Sequence, residues 1–424
     1  MRLTTEEQAM LDGEYGPGVK KGIEIVVALG QIYGAEDLVP VSSVQVAGVS
    51  YKNLGDAGVA FLRDWSGQGA RVRVPTTLNP AGMDLQDWRK QGIPADFAHK
   101  QMAVIEAFAS MGVTTTCTCT PYLVAHEPDF GQHLAWAESS AVSYANSVLG
   151  ARTNREGGPS ALAAAIAGRT ARFGLHLDEN RLAGFVVDVR CPLRTVADFG
   201  ALGYLVGQRV RRGIPFFQNV AEPLLDLPQD FSLPVYQHTG LADAAVDRLK
   251  ALGAAMAASG AVALYHIEGI TPEAIRGNVV ANSAEQVTIH SLDEAYAALN
   301  HNVDRIDFVS IGCPHASLEE IRQIAGGVNG QHLEATLWVA TAGDTKHLAA
   351  ERGWVQIIER AGGLVVADTC MVVAPVDELG FRTLATNAGK AAFYSPAHSR
   401  LAVRFGSLER CIRAAISGRW GDTE

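Results

Sequence analysis

An α/β protein made of several units with mostly parallel sheets is predicted by three observations. Short β-rich runs alternate with amphipathic helical runs along the chain. No repeat, low-complexity tract or flexible linker interrupts that alternation. The length, 424 residues, also exceeds what one hydrophobic core fills.

The extended runs, rich in β-branched residues, are 41–47 (VSSVQVA), 71–74 (RVRV), 183–189 (AGFVVDV), 261–267 (AVALYHI), 306–311 (IDFVSI) and 364–367 (LVVA). Helical spacing of apolar residues marks 18–33, 54–65, 98–111, 133–149, 242–258, 317–325 and 345–361. The segment 205–241 breaks the pattern with Pro215, Pro223, Pro228 and Pro234, and reads as a domain crossing. A second boundary falls near 275–300. The expected organisation is therefore an N-terminal α/β region over 1–204, a crossing plus α/β segment over 205–285, and a C-terminal α/β unit over 286–424.

Composition narrows the function. A hydrophobic fraction of 48% with 19% charged residues is a globular balance, which excludes disordered, collagenous and coiled-coil classes. A net charge of −10 opposes binding to a nucleic-acid backbone or an anionic membrane. The N-terminus carries Glu6, Glu7, Asp12 and Glu14 where a secretory signal needs an apolar stretch. The uncharged apolar run between Lys250 and Glu268 is split by Ser259-Gly260 and falls short of the ~20 residues of a membrane span. A cytoplasmic protein is expected. Six cysteines in such a chain are not a disulfide scaffold; each is a buried small hydrophobe, a ligand or a nucleophile.

In parallel sheets, chemistry gathers past the carboxyl ends of the strands. Three cysteines have that context. Cys119 lies in TTTCTCTPYL before a Thr-Pro turn, Cys313 ends a buried strand in SIGCPHAS, and Cys370 interrupts another in VVADTCMVV. No C-x-x-C pair is present, so a structural zinc site is disfavoured. Cys119 is preferred to Cys117 because the turn that follows brings its backbone up to a cofactor. Three dispersed thiolates without a fourth leave one coordination position open, which suits a Lewis-acid metal, and soft thiolates suit an iron–sulfur cluster.

Two further regions are dense in polar groups. Glu138, Ser139 and Asn146 fall on the helical run 133–149, and a loop with Arg152 and Arg155 follows; guanidinium groups suit carboxylates or phosphates. Thr386-Asn387-Ala388-Gly389-Lys390 looks like a tight turn entering a helix, and Lys390 is one of eight lysines. Gly48-Val49-Ser50 and Asn79-Pro80 place small polar groups after the first two strands. His266 and His315 are acid–base candidates of lower rank, with His315 placed to hydrogen-bond near Cys313.

Together CTPYL (119–123), AWAESSAVSYANSVLGARTNREGGPSALAAAIAG (135–168), GAAMAASGAVALYHIEGITPEA (253–274), IGCPHASLEE (311–320), DTC (368–370) and TNAGKAAFY (386–394) resemble the aconitase X family of the aconitase superfamily, over essentially the whole chain. The resemblance implies an aconitase-like fold around a central iron–sulfur site and a hydro-lyase acting on a small hydroxy acid. It implies a 4Fe–4S or 2Fe–2S cluster on Cys119, Cys313 and Cys370. Substrate contacts at Gly48, Val49, Ser50, Asn79, Pro80, Glu138, Ser139 and Lys390 are implied as well, with Arg152 and Arg155 added from the loop chemistry above. Lys390, Ser139 and Glu138 are the catalytic candidates.

Family members also use a small swivelling domain, fused or separate, that contributes the base. This chain has no stretch left for one, so it is expected to be a large subunit with a separate small subunit. Of the family's two substrates, the Arg-over-Lys bias and the segment LVAHEPDFG favour cis-3-hydroxy-L-proline, dehydrated to Δ1-pyrroline-2-carboxylate; the alternative is (R)-5-phosphomevalonate. Two readings compete with the family's. One is a non-redox small-molecule binding protein whose cysteines merely pack. The other is a thiol-dependent hydrolase using one cysteine with His266 or His315.

Overall fold

The computed structural model describes residues 1–225 and 243–421. Five strands lie in the N-terminal region: β1 (Leu38–Pro40), β2 (Val44–Val46), β3 (Thr76–Leu78), β4 (Ala135–Trp136) and β5 (Arg169–Ala171). β2 pairs in parallel with β3 on one side and β4 on the other. The segment at Cys117 adds a parallel bridge to Leu78 at the edge. β1 and β5 form a separate antiparallel pair. The second sheet has the order β8 (His266–Ile267), β7 (Pro215–Gln218), β6 (Ala183–Val189), β9 (Val280–Ile289), and every pairing is parallel. The third orders β12 (Leu364–Ala367), β11 (Thr336–Thr341), β10 (Phe308–Ile311), β13 (Thr383–Thr386), β14 (Ala402–Phe405), again all parallel. The α/β class with mostly parallel sheets is thus the observed one.

Local patterning accounts for most of these elements. The runs 183–189 and 364–367 are strands over their full predicted length. The helices Pro17–Ile32, Ala95–Ala109, Asp243–Gly260 and Leu318–Val328 follow the predicted periodicity within a few residues. Four predictions need correction. The RVRV run is not a strand. Val72 and Arg73 instead donate to the carbonyls of Met111 and Ala165, and the strand beside β2 starts at Thr76, past Pro75. The helix expected over 133–149 is three pieces: β4, a helix over Ser139–Tyr144, and a π-turn over Ala145–Leu149. Sheet pairing to Val44 and Gln45 overrides helical propensity at Ala135–Trp136. The helix over 345–361 breaks at Gly353, whose φ of 77° lies in the left-handed region that favours glycine. Within the supposed Pro-rich crossing, Pro215–Gln218 is an internal strand, with Pro215 at its first position where a missing N–H is tolerated. Pro228 and Pro234 lie outside the described residues.

Three large apolar clusters hold these units. One runs from Met10 to Ala171 around the first sheet, and one from Ile306 to Trp420 around one face of the third. The largest links Tyr122 and the helix at Ser139 to the second sheet and to Phe308, Trp338 and Phe405. That shared core packs the first and third sheets against each other, with strand ends of both meeting beside it. Among the described residues no helix is long and apolar enough to cross a membrane.

Candidate active site

Loops from the first and third sheets meet at one buried centre. Glu138, just past β4, is the N-cap of the helix Ser139–Tyr144 rather than a member of it. Its carboxylate accepts from Ala141 N at 2.7 Å and from the hydroxyls of Ser140 and Ser139, and it is ion-paired with Lys390 Nζ. Lys390 comes from the other sheet, one residue into the helix Gly389–Ser399 that follows β13. Glu138 is 5% exposed, so this is a buried ion pair. Burial works against the Glu138 charge, yet Lys390 and the hydrogen bonds hold its carboxyl below the usual range. Burial likewise opposes the Lys390 charge, and Glu138 with the neighbouring thiols raises its pKa regardless. Both groups are ionised at neutral pH.

The three predicted cysteines surround this pair. Cys313 follows β10 through Gly312, whose φ is 100° and where an added Cβ would lie 2.0 Å from Ala340 O. Only glycine permits that turn. Cys370 follows β12 after Asp368, which also adopts a positive φ of 61°. The neighbouring Cys313 thiol, with Lys390 in support, lowers Cys370 to about 7 against burial, while Cys313 is raised. Burial first, then Glu138 and Cys370, push Cys119 up to about 12. All three are buried, and Cys119 and Cys313 both act electrostatically on Lys390.

His315 fastens these loops together. Its backbone N–H donates to Cys119 Sγ at 3.1 Å. Its Nε2 lies 2.9 Å from Thr369 O and its Nδ1 2.9 Å from the Thr118 hydroxyl. A carbonyl can only accept, so the proton sits on Nε2 and Nδ1 receives the hydroxyl. Burial lowers its pKa to about 4, which keeps the ring neutral. His315 is therefore a brace between the loops of Cys119, Cys313 and Cys370.

The chain is similar to known proteins over nearly its whole length. The family models for the aconitase X first, second and third domains match residues 1–179, 183–297 and 306–417. The chain belongs to the aconitase X family. It is 48% identical to the phosphomevalonate dehydratase large subunit of Methanocaldococcus jannaschii, over 97% of this chain and 100% of that one. It is 34% identical to the cis-3-hydroxy-L-proline dehydratase of Pseudomonas aeruginosa, over 99% of this chain but 70% of that one. The crystal structure of holo-form aconitase X from Thermococcus kodakaraensis superposes with a TM-score of 0.87 at 46% identity, covering 98% of this chain and 100% of that one. The chain is accordingly a dehydratase, a hydro-lyase of the aconitase X type.

In this aconitase X fold, the loops after β2 and β3 flank the cysteines. Gly48 has a φ of 78°, Val49 is buried, and Ser50 donates to Val373 O at 2.8 Å, which ties its loop to that of Cys370. Asn79 follows β3 with its amide N donating to Val46 O, and Pro80 is buried beside it. Gln101, unremarkable in the sequence, joins the two loops. Its Nε2 donates to Val49 O at 3.0 Å, and its Oε1 accepts from Tyr51 N at 2.9 Å and Gly82 N at 3.0 Å.

The two loop arginines lie elsewhere. Arg152 is ion-paired with Asp178 beside His133 and His176, and Arg155 is exposed on a groove lined by Tyr33 and Phe173. Asn146 bonds the backbone of Thr153 and Ala263 from the π-turn, and His266 lies 2.9 Å from Arg181 O, so both are packed inside the fold.

A second buried cluster stands behind Cys313. Lys250 Nζ lies 2.6 Å from Asp247, 3.1 Å from His315 O and 3.6 Å from Glu320, and Asn387 reaches the Glu320 carboxylate. Burial, and secondarily Asp247, push Glu320 up to about 7. The folded chain then keeps a proton that the unfolded chain releases near pH 4.5, so this contribution is fully present at low pH and is lost as pH rises towards 7. Between pH 5 and 7.5 the parent chain is expected to lose about 1–3 kcal/mol more stability than Glu320→Gln, whose amide cannot ionise. Urea unfolding of both across that range measures it; parallel profiles would remove Glu320 as the cause.

Proposed function

We propose that this chain is the large subunit of an iron–sulfur-dependent (R)-5-phosphomevalonate dehydratase that works with a separate small subunit. The observation carrying the proposal is the convergence of three buried cysteines, from separate strand ends, on the Glu138–Lys390 pair. The substrate follows the relatives. Identity is 48% to a protein named for phosphomevalonate and 34% to one named for cis-3-hydroxy-L-proline, which reverses the preference drawn from composition. The relative at 48% identity is named a large subunit, which supports the two-subunit form.

The donor set suits an iron–sulfur cluster. Soft thiolates at Cys119, Cys313 and Cys370 are its usual ligands, and Lys390 offsets their charge. Among the described residues no three His, Cys, Asp or Glu side chains close on a single metal ion. Buried Thr369 Oγ1 and Asn79 Oδ1 have no hydrogen-bond partner among the described residues, as polar atoms facing a cofactor or substrate would. When bound, the cluster supplies a Lewis-acidic iron without a cysteine, able to take the leaving hydroxyl.

The protein's own groups do the rest. Dehydration breaks a C–O bond and the C–H bond next to the carboxylate, forms C=C and releases water. Lys390, held cationic and oriented by Glu138, stabilises the negative charge that grows on the substrate carboxylate as the proton leaves. Ser139 and the loops Gly48–Ser50 and Asn79–Pro80 wall the substrate against that cation. The proton acceptor comes from the small subunit. The test is an anaerobic assay of the co-expressed subunits on both substrates. Turnover of (R)-5-phosphomevalonate with none of cis-3-hydroxy-L-proline is expected; the opposite pattern would refute the assignment.

A further inference from the structure

Asp84 is a carboxylate that the chemistry above leaves unused, although it is only 1% exposed. It lies five residues past Asn79, and both its oxygens are engaged as acceptors. Oδ1 takes the amides of Gln86 at 2.9 Å and Asp87 at 2.8 Å. Oδ2 takes Ala367 N at 2.8 Å and Lys346 Nζ at 3.0 Å. Ala367 and Lys346 belong to the third sheet's unit, and Ala367 is three residues before Cys370. Alongside, Ala81 N donates to Asp368 O at 2.7 Å, and Ala81 forms a parallel bridge to Thr369.

We infer that Asp84 is a positioning residue that locks the Asn79–Pro80 loop and the Cys370 loop into one register. The inference rests on the reading of those loops as substrate and cluster contacts. An exposed ion pair between two units would contribute little. Here the Asp84 carboxylate is buried, and it also captures the backbone N–H of Ala367, the last residue of β12 before the cysteine loop, so loss of its charge frees the strand end that carries that loop and not merely a side chain. The constraint then passes through Thr369 O to His315 and on to Cys119. Asparagine cannot replace the carboxylate. It has one acceptor oxygen, so its amide N–H2 must face either Ala367 N–H with Lys346 or the amides of Gln86 and Asp87, donor against donor.

The test is native-state alkylation of the full-length chain with iodoacetamide in anaerobic reducing buffer, before and after chelation, read per cysteine by mass spectrometry. Cys411, fully buried in the third unit's core, reports global opening in the same sample. In Asp84→Asn, Cys370 is expected to react about 10-fold faster than in the parent with Cys411 unchanged, the signature of local opening. Lys346→Met, which keeps the Asp84–Ala367 bond, should shift Cys370 in the same direction by about 3-fold. With the co-expressed small subunit, Asp84→Asn should raise KM by a larger factor than it lowers kcat. An unchanged Cys370 rate in both variants, or Cys370 and Cys411 rising together, would overturn the inference. Parent protein without iron would defeat the proposed cofactor, whereas the Cys370-to-Cys411 ratio would still decide the lock.

Discussion

Cys313→Ser and Cys370→Ser, introduced singly and purified anaerobically with the small subunit, are expected to lose most of their iron and at least about 1,000-fold in turnover. The size follows from the Lewis-acid contribution of several kcal/mol, at 1.36 kcal/mol for each factor of ten. Serine is nearly isosteric, so folding should survive, and the visible spectrum and iron content separate cofactor loss from unfolding. Cys117→Ala and Cys411→Ala are the controls. Both thiols are fully buried, Cys117 in the first unit's core and Cys411 in the third's. Their removal should cost packing energy alone and leave iron and turnover in place. Full activity in iron-free Cys370→Ser would sink the cluster, and loss of iron in Cys411→Ala would sink the division between ligands and bystanders.

Lys390→Met should be nearly as severe by another route. It leaves Glu138 buried without its counter-ion, and breaking one side of a buried pair costs about 3–5 kcal/mol. It also removes the cation that faces the developing carboxylate charge, for which about 100- to 1,000-fold in kcat is expected. The double variant Lys390→Met with Glu138→Gln separates the two effects. Without an ionised Glu138 much of the stability should return in a urea titration, whereas turnover should stay low. Recovery of both would make the pair purely structural; recovery of neither would show that the ion pair is not the source of the lost stability.

Much of the candidate site was legible because its residues follow strands. Cys119, Cys313, Cys370, Glu138 and Lys390 all lie just past apolar runs or in tight turns, and parallel sheets bring such positions together. Glu138 was found with the wrong local structure, as a helix member, since only pairing with β2 reveals the two-residue strand before it. Gln101 and Asp84 were not legible at all. Their partners are mostly backbone groups, some of them distant in sequence, and no motif marks a residue that bonds main chain. The Lys250–Asp247–Glu320 cluster was hidden in ordinary amphipathic helices, whose side chains meet only when the helices pack. The arginines misled differently: density in one loop suggested a shared ligand, but Arg152 turns to Asp178 and Arg155 to solvent. The relatives favour the alternative over the hydroxyproline reading, whose grounds were the balance of arginine and lysine, which tracks a genome's base composition, and the segment LVAHEPDFG, whereas specificity depends on side chains lining a pocket.

Hydrophobic periodicity and the placement of reactive residues after apolar strands were thus enough to indicate an α/β chain, most of its helices and three thiols at strand ends. Such local signals depend on residues only a few positions apart. Register between the first and third sheets is different, because it arises from packing across the shared core and from groups such as His315, Gln101 and Asp84 that satisfy main-chain atoms of remote loops. Buried polar groups must be paired, and which partners they find is decided only when the sheets meet. That meeting turns three separate cysteines and one lysine into a single centre.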